Sequence, residues 1–189
     1  MPERAVYDWV ASEERKPIAI EPISVPPNLR PRSALRRIKD KDASSALGAL
    51  LHNMYSAFAS SGEEAVYDGL SYSVEGELLT ELYLQWIEGL RMEEQGGAVA
   101  NVKEVAPLEI TAMPASDSGF PRENGLHFDA RAAWAVTGDV EHWGHIHTRR
   151  NRFDGVFRVA NVSGVWKITD FRLEAKERLS FETGLRLAR

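Results

Sequence analysis

The residue types most able to do chemistry crowd into one stretch, Glu141-His142-Trp143-Gly144-His145-Ile146-His147-Thr148-Arg149-Arg150-Asn151-Arg152-Phe153. It holds three of the five histidines and three arginines. The flanking sequence alternates as a strand does, and strand side chains point to opposite faces in turn. Trp143, His145, His147, Arg149, Asn151 and Phe153 then share one face; Ile146, Thr148, Arg150 and Arg152 share the other. Two histidines at i, i+2 on a strand point the same way and can ligate zinc, copper or nickel if a third ligand faces them. His142, His127 or Glu141 would have to supply that ligand. With no His-Glu-x-x-His helix and no cysteine in the chain, neither a metal nor a cofactor is expected.

The same residue types allow acid–base chemistry. His145 or His147 would carry the proton, with Asp129 or Glu141 orienting the imidazole. Tyr55 or Tyr83 would polarise a carbonyl oxygen, and Arg149 would hold a carboxylate in its fork. A binding surface needs less: Trp134, Trp143 and Phe153 supply apolar area, and His145, His147, Arg149 and Asn151 supply directed hydrogen bonds. The plainest alternative is structural, with the polar groups satisfying backbone where strands bend and the tryptophans packed in a core.

Helices and strands must position this stripe. Leu47, Leu50, Leu51, Met54, Tyr55 and Phe58 form one apolar stripe and predict a helix over 43–59, with Asp42 as N-cap and His52 and Asn53 off the stripe. Ser61 and Glu64 form a capping-box pattern that opens a second helix carrying Val66, Leu70 and Val74. Leu78, Leu79, Leu82, Tyr83, Trp86 and Leu90 predict a third over 77–94, stopped at Gly96-Gly97. The period then changes to two. Residues 98–112 read as a strand in which Pro107 marks an edge or a bulge. Phe128, Ala130, Ala132, Trp134 and Val136 alternate with His127, Asp129, Arg131, Ala133 and Thr137. Gly138-Asp139 reads as a turn or kink, and Asn161-Val162-Ser163-Gly164 as a hairpin turn. In the last strand the apolar phase slips between Ile168 and Phe171, which predicts a bulge. Residues 176–189 read as a charged tail or a frayed helix.

Composition sets the frame. A chain of 189 residues with 43% hydrophobic and 27% charged residues is globular and large enough to bury a core without staples. A net charge of −5 argues against nucleic acid as a partner. Six of the nine prolines lie in residues 1–41, a Pro-rich and partly basic arm in which Ile18, Ile20, Ile23 and Val25 fit an extended strap and Arg30 to Lys41 fit a solvated linker or a contact with an anionic surface. The division expected is an arm over 1–41, an α+β domain over 42–175 and a tail over 176–189. No apolar run reaches the length of a membrane span, so a soluble chain is expected, with an anchor upstream of Met1 left open.

The helix-one stripe Leu47 to Phe58, the third helix ending at Gly96-Gly97 and the terminal pair Asn161-Val162-Ser163-Gly164-Val165-Trp166-Lys167-Ile168 resemble the NTF2-like (SnoaL-like) cone superfamily over residues 43–175. The His-Trp-Gly-His-x-His stretch is similar to one found in uncharacterised bacterial proteins, some of them extracytoplasmic. The resemblance implies three N-terminal helices packed on a strongly bent antiparallel sheet. That superfamily includes isomerases, dehydratases and cyclases as well as binding and assembly modules, so fold does not choose among them. The expectation is a non-catalytic module that binds a small molecule or a protein through Trp134, Trp143, His145, His147, Arg149, Asn151 and Phe153. A homodimer through the open sheet face is compatible with it. The alternative is a small-molecule lyase or isomerase with His145, His147, Asp129 and Tyr55 as catalytic candidates.

Overall fold

The computed structural model describes residues 20–27, 38–60, 62–94, 99–121, 124–142 and 145–185. The fold is α+β. Three helices, α1 (Asp40–Phe58), α2 (Glu63–Ser71) and α3 (Glu77–Glu94), precede a four-stranded antiparallel meander. Its strands are β1 (Val99–Met113), β2 (His127–His142), β3 (His145–Val162) and β4 (Val165–Leu185), with a single helical turn, α4 (Ala115–Ser118), between β1 and β2.

The predicted helical stripes become the core. Leu47, Leu50, Leu51, Met54, Tyr55 and Phe58 of α1 are buried together with Val66 and Leu70 of α2 and Leu78, Leu79, Leu82 and Trp86 of α3. Facing them from the sheet are Ile110, Phe128, Ala130, Ala132, Trp134, Val136, Phe153, Phe157, Val159, Trp166 and Ile168. This is the helix face of the sheet; the opposite one is termed the outer face.

Curvature comes from unequal strand lengths. β2 and β3 pair without interruption from His127↔Ala160 to His142↔His145. The strands outside them carry extra residues. Lys103 and Leu108 of β1 have no partner in β2, and Thr169, Glu174 and Leu179 of β4 have none in β3. Each insertion is a bulge that bends its strand and increases the local twist. The break at Pro107/Glu109 puts a proline on an edge strand beside a bulge, and the slip after Ile168 is the bulge at Thr169; both were legible in the sequence. The β3–β4 connection is the two-residue turn Ser163-Gly164 with φ of 53° and 92°, the left-handed pair that matches strand twist, and Gly164 N donates to Asn161 Oδ1 at 2.8 Å.

Several expectations are corrected. The residue capping α1 is Lys39, with no side-chain cap. Asp42 lies inside the first turn, and the neighbouring Asp40 instead accepts a hydrogen bond from Ala112 N of β1 at 3.0 Å. Asn53 is buried rather than facing water, because residues 20–27 cross it: its Nδ2 donates to Glu21 O at 2.9 Å. This segment is held to the start of β4 by Val25 N donating to Gly164 O and Trp166 N donating to Ile23 O. α1 begins at Asp40, and Ile38 just before it is in the core. Gly138-Asp139 makes no turn; β2 runs through it to His142, and the kink falls on β1 at Lys103 opposite. Residues 176–185 are not tail but the far part of β4. Ser61, Gly96 and Gly97 lie outside the described residues, and Gly62 precedes α2 without a side-chain cap.

Gly155 marks the tightest approach within the sheet. A Cβ placed there would meet the Phe171 ring at 2.8 Å and Arg172 O at 2.9 Å. The vacancy lets Phe171 stack on Phe157, with centroids 4.7 Å apart and planes 27° apart. Gly155→Ala should therefore lower stability by about 1–3 kcal/mol through overpacking. A urea titration with the same m-value and a lower midpoint is the expected result.

Candidate functional site

The long hairpins carry the core only along part of their length. On the helix face, β3 runs from the fully buried Phe153 to Asn151, Arg149 and His147, all half-buried. Opposite them on β2 stand Val136, Gly138 and Val140, in the register Val136↔Asn151, Gly138↔Arg149 and Val140↔His147. Arg178 of β4 pairs with Asn151 on the other side. Alternation thus places His147, Arg149 and Asn151 side by side as predicted, on an uninterrupted stretch of strand pairing. Trp143 and the side chains of Glu141, His142 and His145 lie outside the described residues.

Of the three aromatics expected to supply apolar area, the two that are described pack inside the core. Trp134 and Phe153 share the face but are wholly buried, stacked on each other at 5.5 Å and 20°. Helices α1 to α3 cover this part of the sheet, so their area is spent on the core. Phase told which face they occupy but not where the helical layer ends.

The acid–base set is not brought together. Asp129 is on the outer face of β2 at the opposite end of the hairpin from His147. The Val140 that faces His147 is on the order of 35 Å of strand away from it, at 3.3 Å a residue. Asp129 is also fully engaged. Arg158 Nε donates to Oδ1 at 2.8 Å and its Nη2 to Oδ2 at 2.9 Å, while Ser118 Oγ donates to Oδ2 at 2.5 Å. Arg158 Nη1 donates to Pro121 O, and the guanidinium lies 5.3 Å from the Phe120 centroid. This buried pair pins the loop containing α4 over the outer face; it is a structural device, and sequence gave no local signal for a partner 29 residues away. Tyr55 is likewise engaged in the core, accepting from Trp134 Nε1 at 3.1 Å. Tyr83 donates to Glu63 Oε2 at 3.3 Å, on the helical layer; loss of solvation and then the Glu63 carboxylate push its phenol pKa up.

Of the metal candidates, His127 stands apart, at the opposite end of β2 from His142, whose backbone pairs with that of His145. His127 is the first residue of β2 and His142 the last, and His127 Nδ1 lies 3.2 Å from Gly125 O. Among the described residues no group of three or more His, Cys, Asp or Glu is placed to hold a metal ion. No helix among them is long and apolar enough to cross a membrane.

No family model matches the chain, and no curated protein matches it. Among solved structures, the crystal structure of the intermembrane space region of chloroplast protein ARC6 is similar at a TM-score of 0.46 and 14% identity, covering 74% of this chain and 99% of that one. A likeness this loose assigns neither ligand nor partner.

Two predictions separate structure from chemistry here. Removing one member of the buried pair, as in Asp129→Ala, should cost about 3–5 kcal/mol because Arg158 stays buried and charged, whereas replacing both by leucine should cost less. Denaturant melts of the three chains give the comparison. On the outer face, Arg152 donates to Asp154 through Nε at 3.0 Å and Nη2 at 2.8 Å. That hydrogen bond, against an opposing loss of solvation, holds the Asp154 carboxyl below its ordinary pKa of 3.8. A lowered folded pKa means stabilisation that is present above the unfolded value and disappears as pH falls through the folded one. Asp154→Asn should remove this acid sensitivity while costing less than ~1 kcal/mol near neutral pH, since the pair is partly exposed. Thermal melts of both chains from pH 7 to pH 2 test it.

Proposed function

We propose that the chain is an NTF2-like α+β module that holds a ligand or a protein partner, without catalysis, through the polar stripe His147, Arg149 and Asn151. The observation that carries this is the change along β3 on one face, from Phe153 fully buried to Asn151, Arg149 and His147 half-buried. The core face continues past the core as a row of directional hydrogen-bonding groups. They stand on strands whose pairing to β2 is unbroken, and side chains on regular elements are held more closely than those on loops. Val140 beside them, half-buried, adds apolar area next to the polar groups, the mixture that binding sites use.

NTF2-like membership is supported by the order of elements, three helices and then an antiparallel meander bent by bulges, and by the terminal hairpin Asn161 to Ile168. The acid–base alternative finds less support, since Asp129 and Tyr55 are engaged by Arg158 and Trp134 and lie away from His147.

The test is capture with a paired control. The wild-type chain and the double variant His147→Ala/Arg149→Ala are immobilised and exposed to a lysate of the source cells and to its small-molecule extract. Loss of an arginine at the centre of a contact typically costs 10-fold or more in affinity, about 1.4 kcal/mol. A species retained by the wild type and lost from a folded double variant is the expected result. The same species retained equally by both would overturn the assignment of the stripe.

A further inference from the structure

Most of the cationic side chains described on the outer face of the sheet have a carboxylate partner, Lys167 with Glu75 among them. Lys103 Nζ lies 2.5 Å from Asp139, Arg152 2.8 Å from Asp154 and Arg158 2.8 Å from Asp129. Arg131 pairs with Glu174, and Arg172 lies 3.6 Å from the same carboxylate. One that has none is Arg150. It has no hydrogen bond or ion pair among the described residues, and its Nε is buried without an acceptor. A guanidinium stays charged at any physiological pH and offers five donors in a planar fork. Folded proteins pair more than nine in ten of their buried polar groups, so a buried Nε–H on a charged group, lacking an acceptor among the described residues, points to an acceptor from outside them.

Its neighbours suit that acceptor. Arg150 pairs with Thr137 on β2 and with Ser180 on β4, so two hydroxyl-bearing residues flank it in one cross-strand row on the same face, each one strand spacing of about 4.8 Å away at Cα. Both can donate to an oxygen held in the fork. Acids stand in the adjoining rows rather than directly opposite Arg150, with Glu177 of β4 opposite Arg152. Asp139 in the next row accepts from Thr148 Oγ1 at 2.6 Å and pairs with Lys103. Asp154 is taken by Arg152. Glu104, opposite Thr137, is exposed on β1 two strands from Arg150. Phase explains why Arg150 is distinct from the stripe proposed above: Arg149 and Arg150 are adjacent in sequence and point to opposite faces.

We propose that Arg150, flanked by Thr137 and Ser180, is a binding position for an oxyanion, a carboxylate or a phosphate group, on the outer face of the sheet. An Arg fork takes either geometry through two parallel N–H···O bonds, and the adjoining hydroxyls supply donors for a third oxygen.

The experiment reads the Arg150 side chain directly. The full chain, labelled with nitrogen-15, is titrated with inorganic phosphate and separately with acetate, at ionic strength held constant with sodium chloride so that screening does not change. The Arg150 Nε–H resonance and the amides of Thr137, Arg150 and Ser180 should shift saturably with at least one anion. The tighter of the two names the ligand chemistry. Arg150→Gln should abolish the saturable shift of those amides, and Arg131→Gln, on the same face but outside the row, should preserve it. Should Arg150→Gln fail to fold, Thr137→Val/Ser180→Ala serves in its place and should weaken binding at least threefold. Absence of a saturable shift with either anion would overturn the proposal, as would an unchanged titration in the folded Arg150 or Thr137/Ser180 variants. Neither result bears on the His147/Arg149 stripe, which faces the other way.

Discussion

Every layer of this fold meets at the indole of Trp134. Its Nε1–H donates to the Tyr55 hydroxyl of α1, one face stacks on Phe153 of β3, and Phe157 and Phe171 approach with their planes 64° away. Pro107 of β1 is its register partner. A buried tryptophan fills a large volume and also needs an acceptor for its N–H. Here the acceptor comes from the helical layer and the packing from three strands, so one side chain fixes how far the helices stand from the sheet. Gly155 belongs to the same arrangement, since its missing side chain is what admits Phe171 to the cluster.

That cluster also decides where chemistry can and cannot sit. Up to the row of Trp134 and Phe153 the helix face of the two central strands is buried. Beyond it the same face carries Asn151, Arg149 and His147 with partial access to water. On the outer face the order is reversed. The end near Asp129 and Arg158 is closed by the loop around α4, and the far end carries charged side chains in pairs. A sheet about 16 residues long can thus have each face buried at one end and open at the other, which gives two surfaces of different character from one hairpin.

Much of this was legible in the sequence where periodicity is strong. The helical stripes of α1 and α3, the alternation of Phe128 to Val136, the turn at Ser163-Gly164 and the slip after Ile168 were all readable, because each is a local pattern with a local cause. What was not legible depends on partners distant in sequence. Asp129 reads as an available carboxylate until Arg158 is folded onto it. Asn53 reads as a wet residue until residues 20–27 cross it. Gly138 reads as a turn because glycine usually interrupts strands, yet a strand paired on both sides absorbed it. The run Lys176 to Ser180 reads as tail because its residues are charged and exposed on a sheet edge, where no apolar alternation is required.

The bulges of β4 have a consequence for the molecule among its own copies. An outer strand of this length would present a continuous row of backbone donors and acceptors, a template onto which another chain could add. Near its start that row is occupied, by Ser24 and by Val74. Further along it is broken at Glu174 and again at Leu179, and it carries Lys176 and Arg178. Interrupted spacing and repelling cations are the two means by which native sheets keep a bare edge from joining its neighbour's. The irregularities that bend the sheet around its helices thereby also interrupt the row onto which another copy would have to pair.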